Sequence, residues 1–389
     1  MGNIKLRLST LNMILLFFTI IKISYVPNKI FIMFKYIVII YLLIFNMSQL
    51  KKAIALYSAI LAYTFMLTYS THVNMKDLSW TISAFMSGLQ MIVIFSTISN
   101  SVAKSGIKIV IIDMIKILGT FVIANDLLLP FMGYNFRNPD EAYLIGNKFF
   151  VCFIHLFLAC LIYYKYYNTN KKIVYWSIFI YSMLISILVH CSTGTIVLLV
   201  AMLMLLIPIQ FWRIFSNRKI LVLCLVIENI LIWGSYAIFQ TKFMQYIIVN
   251  VFHKSADMTG REKLYEVVLD LVEKQPIFGY GYNSDIFRDM FGYGNAQNGV
   301  FHIVIQAGIL GAILYFIALY IALGVKAWNA NLYAFFVFLY AMIVGSAIEI
   351  NLGNIFVLGI ASLFAYNIKE KNYVSINLTK IFKKKIKLR

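Results

Sequence analysis

Acidic side chains are scarce in this chain. Only 15 Asp and Glu stand against 34 Lys and Arg in 389 residues, a formal net charge of +19. A surplus of that size can mark a nucleic-acid partner, but the distribution argues against one. The lysines fall in short gaps between apolar runs and in a basic tail at residues 369–389, the pattern of cytoplasmic loops beside membrane helices. Cysteine is rare as well. Cys152, Cys160, Cys191 and Cys224 lie in or beside apolar runs without Cys-x-x-Cys spacing, so they read as packed thiols, neither disulfides nor metal ligands. No histidine pair has ligand spacing, and Asp140-Glu141 is not an Asp-x-Asp signature. The expectation is therefore no required metal and no cofactor. No small-residue cleavage site follows Met1–Thr10, so the apolar run there is expected to be a first transmembrane helix rather than a leader. Barrel-like alternation is also missing, which leaves helices as the means of satisfying the backbone in hydrocarbon.

Apolar residues are plentiful. They make up 62% of the chain, with mean hydropathy +0.84, which sets it among integral membrane proteins rather than soluble domains. Tyr and Phe are abundant, as where aromatic belts line two interfaces. Apolar runs occur at about Leu11–Val26, Ile30–Phe45, Ala53–Tyr69, Trp80–Ser96, Ile107–Ala124, Phe149–Tyr164, Ile173–His190, Thr195–Trp212, Ile220–Phe239, Val300–Leu323, Leu332–Ala347 and Ile355–Tyr366. The expected fold is an all-α integral membrane protein of about 12 transmembrane helices. Lys5, Arg7, Lys51, Lys52, Lys104, Lys165, Lys171, Lys172, Arg213, Arg218, Lys219, Lys326 and the tail then share one side, the cytoplasm by the positive-inside rule. Both termini fall there, and a large extracytoplasmic loop lies between helices nine and ten. Residues 1–389 read as one polytopic domain, with 240–298 as a cap loop and 369–389 as a basic cytoplasmic tail. That cap holds seven acidic and six basic residues, a balance that suits a folded element more than a spacer.

Thr259 to Gly311 is the stretch around which the rest is arranged. Thr259 and Glu262 have capping-box spacing, and Leu264, Val267, Val268, Leu271 and Val272 recur at helical intervals. The pattern predicts a helix to about Lys274, stopped by Pro276, with Gly279 and Gly281 allowing a sharp turn. Asn298, His302 and Gln306 follow at i, i+4 and i+8, a polar stripe on the tenth transmembrane helix. Gly279-Tyr280-Gly281 follows a helix rather than a strand, so it is not a dinucleotide loop.

Gly260-Arg261, then a short helix, Pro276-Ile277-Phe278-Gly279-Tyr280-Gly281, Gln297-Asn298 and Gly308-Ile309-Leu310-Gly311 occur in that order. This order resembles the Wzy-type polymerase and O-antigen ligase superfamily, over about fifty residues. The resemblance implies a membrane enzyme of the bacterial cytoplasmic membrane that polymerises polyprenyl-diphosphate-linked oligosaccharide repeat units into capsule, exopolysaccharide or O-antigen. It implies undecaprenyl-diphosphate-linked oligosaccharide and membrane lipids as partners, with a flippase and a chain-length regulator of the same pathway beside it. Members with ligase activity usually carry His where this chain has Gln297, which favours polymerase over ligase.

Arginine is scarce, and Arg137, Arg261 and Arg288 are the ones placed outside. A planar fork of donors matches diphosphate oxygens better than an ammonium does, so these three are candidates for the lipid diphosphate, with Arg261 foremost. A surface arginine paired with Glu262, Asp285 or Asp289 is the plainer alternative. His302 is a candidate proton acceptor, and Asn298 completes the catalytic set. Tyr280, Tyr282, Gln297 and Gln306 are candidate substrate contacts, against interfacial packing or helix-to-helix bonding. Asp113 and Lys116, at i and i+3, are expected to neutralise one another, whereas Glu228 has no partner nearby in sequence. That carboxylate keeps a non-enzymatic reading alive: a flippase or secondary transporter, which would seldom need a large one-sided cap.

Overall fold

The computed structural model describes residues 7–132, 143–169, 171–233, 246, 249–250, 261–292, 294–324 and 330–367. Arg137, Thr259, Gly260 and the basic tail lie outside them, and of Arg261 the backbone alone is described. Among the described residues the chain is helical, without a named strand. The helices are α1 (Leu8–Ile20), α2 (Asn28–Phe45), α3 (Met47–Leu50), α4 (Ile54–Met75), α5 (Leu78–Ser105), α6 (Ile107–Leu128), α7 (Lys148–Tyr166) and α8 (Lys172–Leu188). They continue as α9 (Ser192–Leu205), α10 (Ile209–Phe215), α11 (Arg218–Trp233), α12 (Arg261–Lys274), α13 (Ile286–Phe291), α14 (Gly299–Ala322), α15 (Tyr333–Ser346) and α16 (Asn354–Asn367). Each apolar run of the sequence overlaps one of these helices. Five of them, α2, α4, α5, α7 and α14, are long and apolar enough to cross a membrane.

Burial separates centre from periphery. Along α15 nearly every side chain is buried, Phe335, Phe336 and Phe338 included, and α7 is similar. A helix apolar all round and covered all round is a core helix. At the edge, α2 exposes Ile30, Met33, Ile37 and Ile44, a surface that suits lipid rather than water. Buried amides between helices find one another: Asn46 donates to Thr97, Asn100 to Asn46 and Gln49 to Asn100. Such pairs hold helices together where burial alone gives little preference between helix and lipid.

The expected Asp113–Lys116 pairing is not what the fold makes. Asp113 accepts from Arg7 at 3.3 Å and from Thr10 at 2.8 Å, tying α6 to the start of α1. Arginine and a hydroxyl arriving from a packed neighbour satisfy both carboxylate oxygens, which one lysine on the same helix does not.

α4 packs along both α5 and α14, and these three helices set the frame of the site. The tenth apolar run, expected as one continuous helix, is broken at Gly308, where φ 70° and ψ 178° leave the helical region. That break is the structural centre of the cap.

Candidate functional site

α12 begins at Arg261 and ends at Lys274, as the apolar spacing predicts. Its face of Leu264, Val268 and Leu271 is buried against Phe301 and Ile305 of α14 and Phe287 of α13, a small core separate from that of the bundle. The cap is therefore a folded layer seated on the first turns of α14.

Beyond Lys274 the chain turns down into the Gly308 break. A break in a helix frees carbonyl oxygens that must be paired elsewhere. The Pro276–Gly281 turn supplies the donors. Tyr280 donates its backbone N–H to the Ile305 carbonyl at 2.7 Å, and Gly281 donates to that of Gln306 at 3.1 Å. In return Ile309 donates to the Pro276 carbonyl at 2.8 Å. Ser70 of α4 adds a hydroxyl donor to Gln306 at 2.9 Å, and Asn74 donates to Gly279 at 3.0 Å. The approach is too close for side chains. A Cβ on Gly279, which has φ +67°, would stand 2.5 Å from the Ile305 oxygen, and one on Gly308 would overlap the Ile277 carbonyl. The Pro-x-x-Gly-x-Gly turn and the Gly-x-x-Gly helix, read separately in the sequence, are the two halves of one backbone joint.

The polar stripe of α14 is placed next to this joint. Asn298 is fully buried and caps the helix: its Oδ1 accepts from Phe301 N at 2.9 Å and its Nδ2 donates to the Ala347 carbonyl at 3.2 Å. Tyr265 of α12 donates to the carbonyls of Gln297 and Ala347 at 3.2 and 3.1 Å, so cap, α14 and the end of α15 meet at Asn298. Gln297 takes a left-handed φ of 51°, and its backbone N–H and its side-chain amide both donate to Asn295 Oδ1. His302 and Gln306 share a hydrogen bond of 2.9 Å between their Nε2 atoms.

The other candidates fall elsewhere. Arg288 forms an exposed ion pair with Asp285 at 3.1 Å, the plainer of its two readings. Tyr280 donates its hydroxyl to the Leu271 carbonyl at 2.9 Å, and Tyr282 is held through its backbone N–H on Thr71 at 2.9 Å. Burial pushes both phenols above their ordinary value, so both stay protonated donors at neutral pH. Glu228 has a partner after all: Ser346 donates to it at 3.2–3.3 Å, which puts the carboxylate of α11 one residue from Ala347 and close to the Asn298 knot. The sequence hides this contact because its partners are 118 residues apart. A second cluster escaped sequence reading altogether. Asp126 of α6 accepts from Tyr181 of α8 at 2.6 Å and lies 3.2 Å from His155 of α7, with His155 and Asp126 almost wholly buried.

Below the cap an apolar groove of about 840 Å3 runs between α11 and α14. Leu225 and Val226 form one wall, Val304 and Phe316 the other, and Val268 and Val272 of α12 form the roof. Among the described residues no group of three or more His, Cys, Asp or Glu side chains stands ready for a metal.

A many-helix membrane protein with a folded polar cap, jointed into a broken helix above an apolar groove, is the class that these features define. Residues 178–316 match the family model described as O-antigen ligase, a match consistent with the resemblance to the Wzy-type polymerase and O-antigen ligase superfamily. The matched segment takes in α12, the joint, the Asn298 cap and the upper part of α14. Membrane glycan processing by a glycosyl-transferring enzyme acting on lipid-linked oligosaccharide is the function that this family supports. No curated protein matches the chain.

Proposed function

We propose that the protein polymerises polyprenyl-diphosphate-linked oligosaccharide repeat units into a surface polysaccharide on the extracytoplasmic face of the bacterial cytoplasmic membrane. The observation that carries this reading is the vertical order at α14: a polar cap helix beginning at Arg261 above, an apolar groove of about 840 Å3 beneath it. An amphiphile with a long prenyl chain and a diphosphate head fits that order, tail in the groove and head at the first turn of α12. There the helix N-terminus already favours an anion. In this reading Arg261 holds the diphosphate, with Arg137 as a further donor, His302 stands at the reacting centre, and Asn298 positions it by capping α14. The acceptor's sugar hydroxyl attacks the anomeric carbon of the chain on the lipid. Its proton passes to a nearby base, the glycosidic bond to diphosphate breaks, and the polyprenyl diphosphate leaves with the electron pair. The bond to diphosphate already stores the energy, so positioning and charge stabilisation are the protein's tasks.

The topology proposed with it is twelve spans in one domain, residues 240–298 as the outer cap, and both termini with the 369–389 tail in the cytoplasm. Lys51, Lys52, Lys104, Lys165 and Lys172 stand at the ends of α4, α5, α7 and α8 that point away from the cap, which supports that orientation. The family description favours one other reading, transfer of a finished glycan to a different acceptor; Gln297 speaks for polymerase. Purified protein in liposomes with lipid-linked repeat units is expected to give a ladder of chain lengths, with or without EDTA. A single transfer product would favour the ligase, and activity lost in chelator and restored by a divalent ion would end the metal-free mechanism.

A further inference from the structure

At the cap end, between the α4–α5 turn and the cap, lies a second cavity of about 520 Å3. It shares no lining residue with the apolar groove. Trp80 and Asp77 come from the bundle; Gln275, Tyr280, Asp285 and Asp289 come from the cap. Two half-buried aromatic rings face a space edged by carboxylates, amides and the Ser284 hydroxyl, with Met75 and Ile286 as its other apolar lining. That combination matches a pyranose, which offers a face of C–H groups for a ring and a rim of hydroxyls for paired acceptors and donors.

The Tyr280 ring is held in place, and so is the backbone that carries Trp80. Tyr280 is pinned at both ends, by its hydroxyl on Leu271 and its backbone on Ile305, and Trp80 stands in the first turn of α5, whose Asp77 cap accepts from Ser79 N and Trp80 N. A ring fixed before binding, as that of Tyr280 is, loses little entropy when a ligand arrives. The charge decides which part of a substrate enters. Among the described residues no lysine or arginine lines the cavity, Asp285 is neutralised by Arg288, and Asp77 and Asp289 remain as net negative charge. A diphosphate is repelled there; a neutral or amino sugar is not.

We propose that this cleft binds the saccharide portion of a substrate, with a sugar ring stacked against Trp80 and Tyr280 and its hydroxyls on Gln275 and Asp289. This rests on the polymerase reading and deepens it: charge sign sorts the two ends of the lipid-linked molecule, diphosphate to the Arg261 turn and glycan to the acidic cleft. The glycan is gripped at the joint that seats the cap, since Tyr280 belongs to both.

The test uses full-length protein in lipid nanodiscs and, as probe, the lipid-free oligosaccharide released by mild acid from the producing strain's own polymer. Saturation-transfer NMR is expected to show sugar protons in contact with aromatic side chains. Trp80→Ala and, independently, Asp289→Asn are expected to weaken binding by roughly tenfold, the scale of one lost aromatic contact, with Trp80→Phe intermediate. Inorganic pyrophosphate should not displace the sugar. Undiminished binding in Asp289→Asn and in folded Trp80→Ala, displacement by pyrophosphate, or binding abolished by EDTA would each overturn the proposal. Arg261→Ala separates the two levels. If it leaves polymer unchanged the polymerase reading fails, whereas loss of polymer with sugar binding intact in every cleft variant removes the cleft alone.

Discussion

Gly279 and Gly292 both sit at positive φ, +67° and +72°, yet they should respond very differently to a methyl group. At Gly292, beyond α13, nothing lies within 4 Å of the added Cβ, so Gly292→Ala costs only the left-handed strain of an alanine, about 1 kcal/mol. At Gly279 the same strain is joined by a clash 2.5 Å from the Ile305 oxygen. Relieving it pulls the turn out of the Gly308 break and breaks the bonds from Tyr280 N and Gly281 N, each worth about 1 kcal/mol. The Ile305 carbonyl is then left buried without that donor, at about 1–3 kcal/mol, whereas the Gln306 carbonyl keeps the Ser70 hydroxyl. The sum is about 4–6 kcal/mol against docking of the cap, several times the effect at Gly292. Proteolysis of detergent-purified protein reads this directly: Gly279→Ala should be cut within residues 261–298 at protease concentrations that leave Gly292→Ala and wild type intact, while all three still insert. Equal protection of the two alanine variants would refute the joint as described.

Two further outcomes follow from the same contacts. Ser284→Cys, in a background without native cysteines, should react with an impermeant maleimide on intact spheroplasts, and Lys171→Cys should not; labelling at Lys171→Cys alone would invert the topology. Asp126→Ala leaves the buried His155 and the partly exposed Tyr181 without their shared acceptor and should cost about 1–3 kcal/mol in thermal stability. Asp285→Ala, which removes only the exposed partner of Arg288, should change nothing measurable, and the opposite order would contradict the assignment of both pairs.

Hydropathy and spacing located the elements, because a helix in lipid carries its address in its own composition. Each apolar run overlaps a helix, and α12 stops at Lys274 where its apolar period gives way before Pro276. The order of Gly-x-Gly, Gln-Asn and Gly-x-x-Gly lies within the residues 178–316 that match the family model. What stayed hidden was where backbone and polar side chains find partners. Nothing in the run from Val300 to Leu323 announces a break at Gly308, since the freed carbonyls are paired by a turn some thirty residues earlier in the chain. Asp113 has a lysine one turn away and chooses Arg7; Glu228 is met by its neighbour Asn229 and, across the fold, by Ser346. Asn298, read as part of a reactive stripe, caps α14 and anchors it to Ala347.

The central claim concerns Arg261, the first residue of α12. Arg261→Lys keeps the charge and removes the planar fork, and the loss of one preorganised donor to developing charge costs about 2.7–4 kcal/mol, or roughly two to three decades in rate. Initial rates of chain elongation with lipid-linked repeat units, measured on purified variants at equal incorporation into liposomes, should therefore fall by roughly two to three decades for Arg261→Lys and at least as far for Arg261→Ala, while Lys263→Ala stays near wild type. A surface ion pair in the same place would cost about 0–1 kcal/mol for either change. Elongation by Arg261→Ala at a near-normal rate would contradict the account.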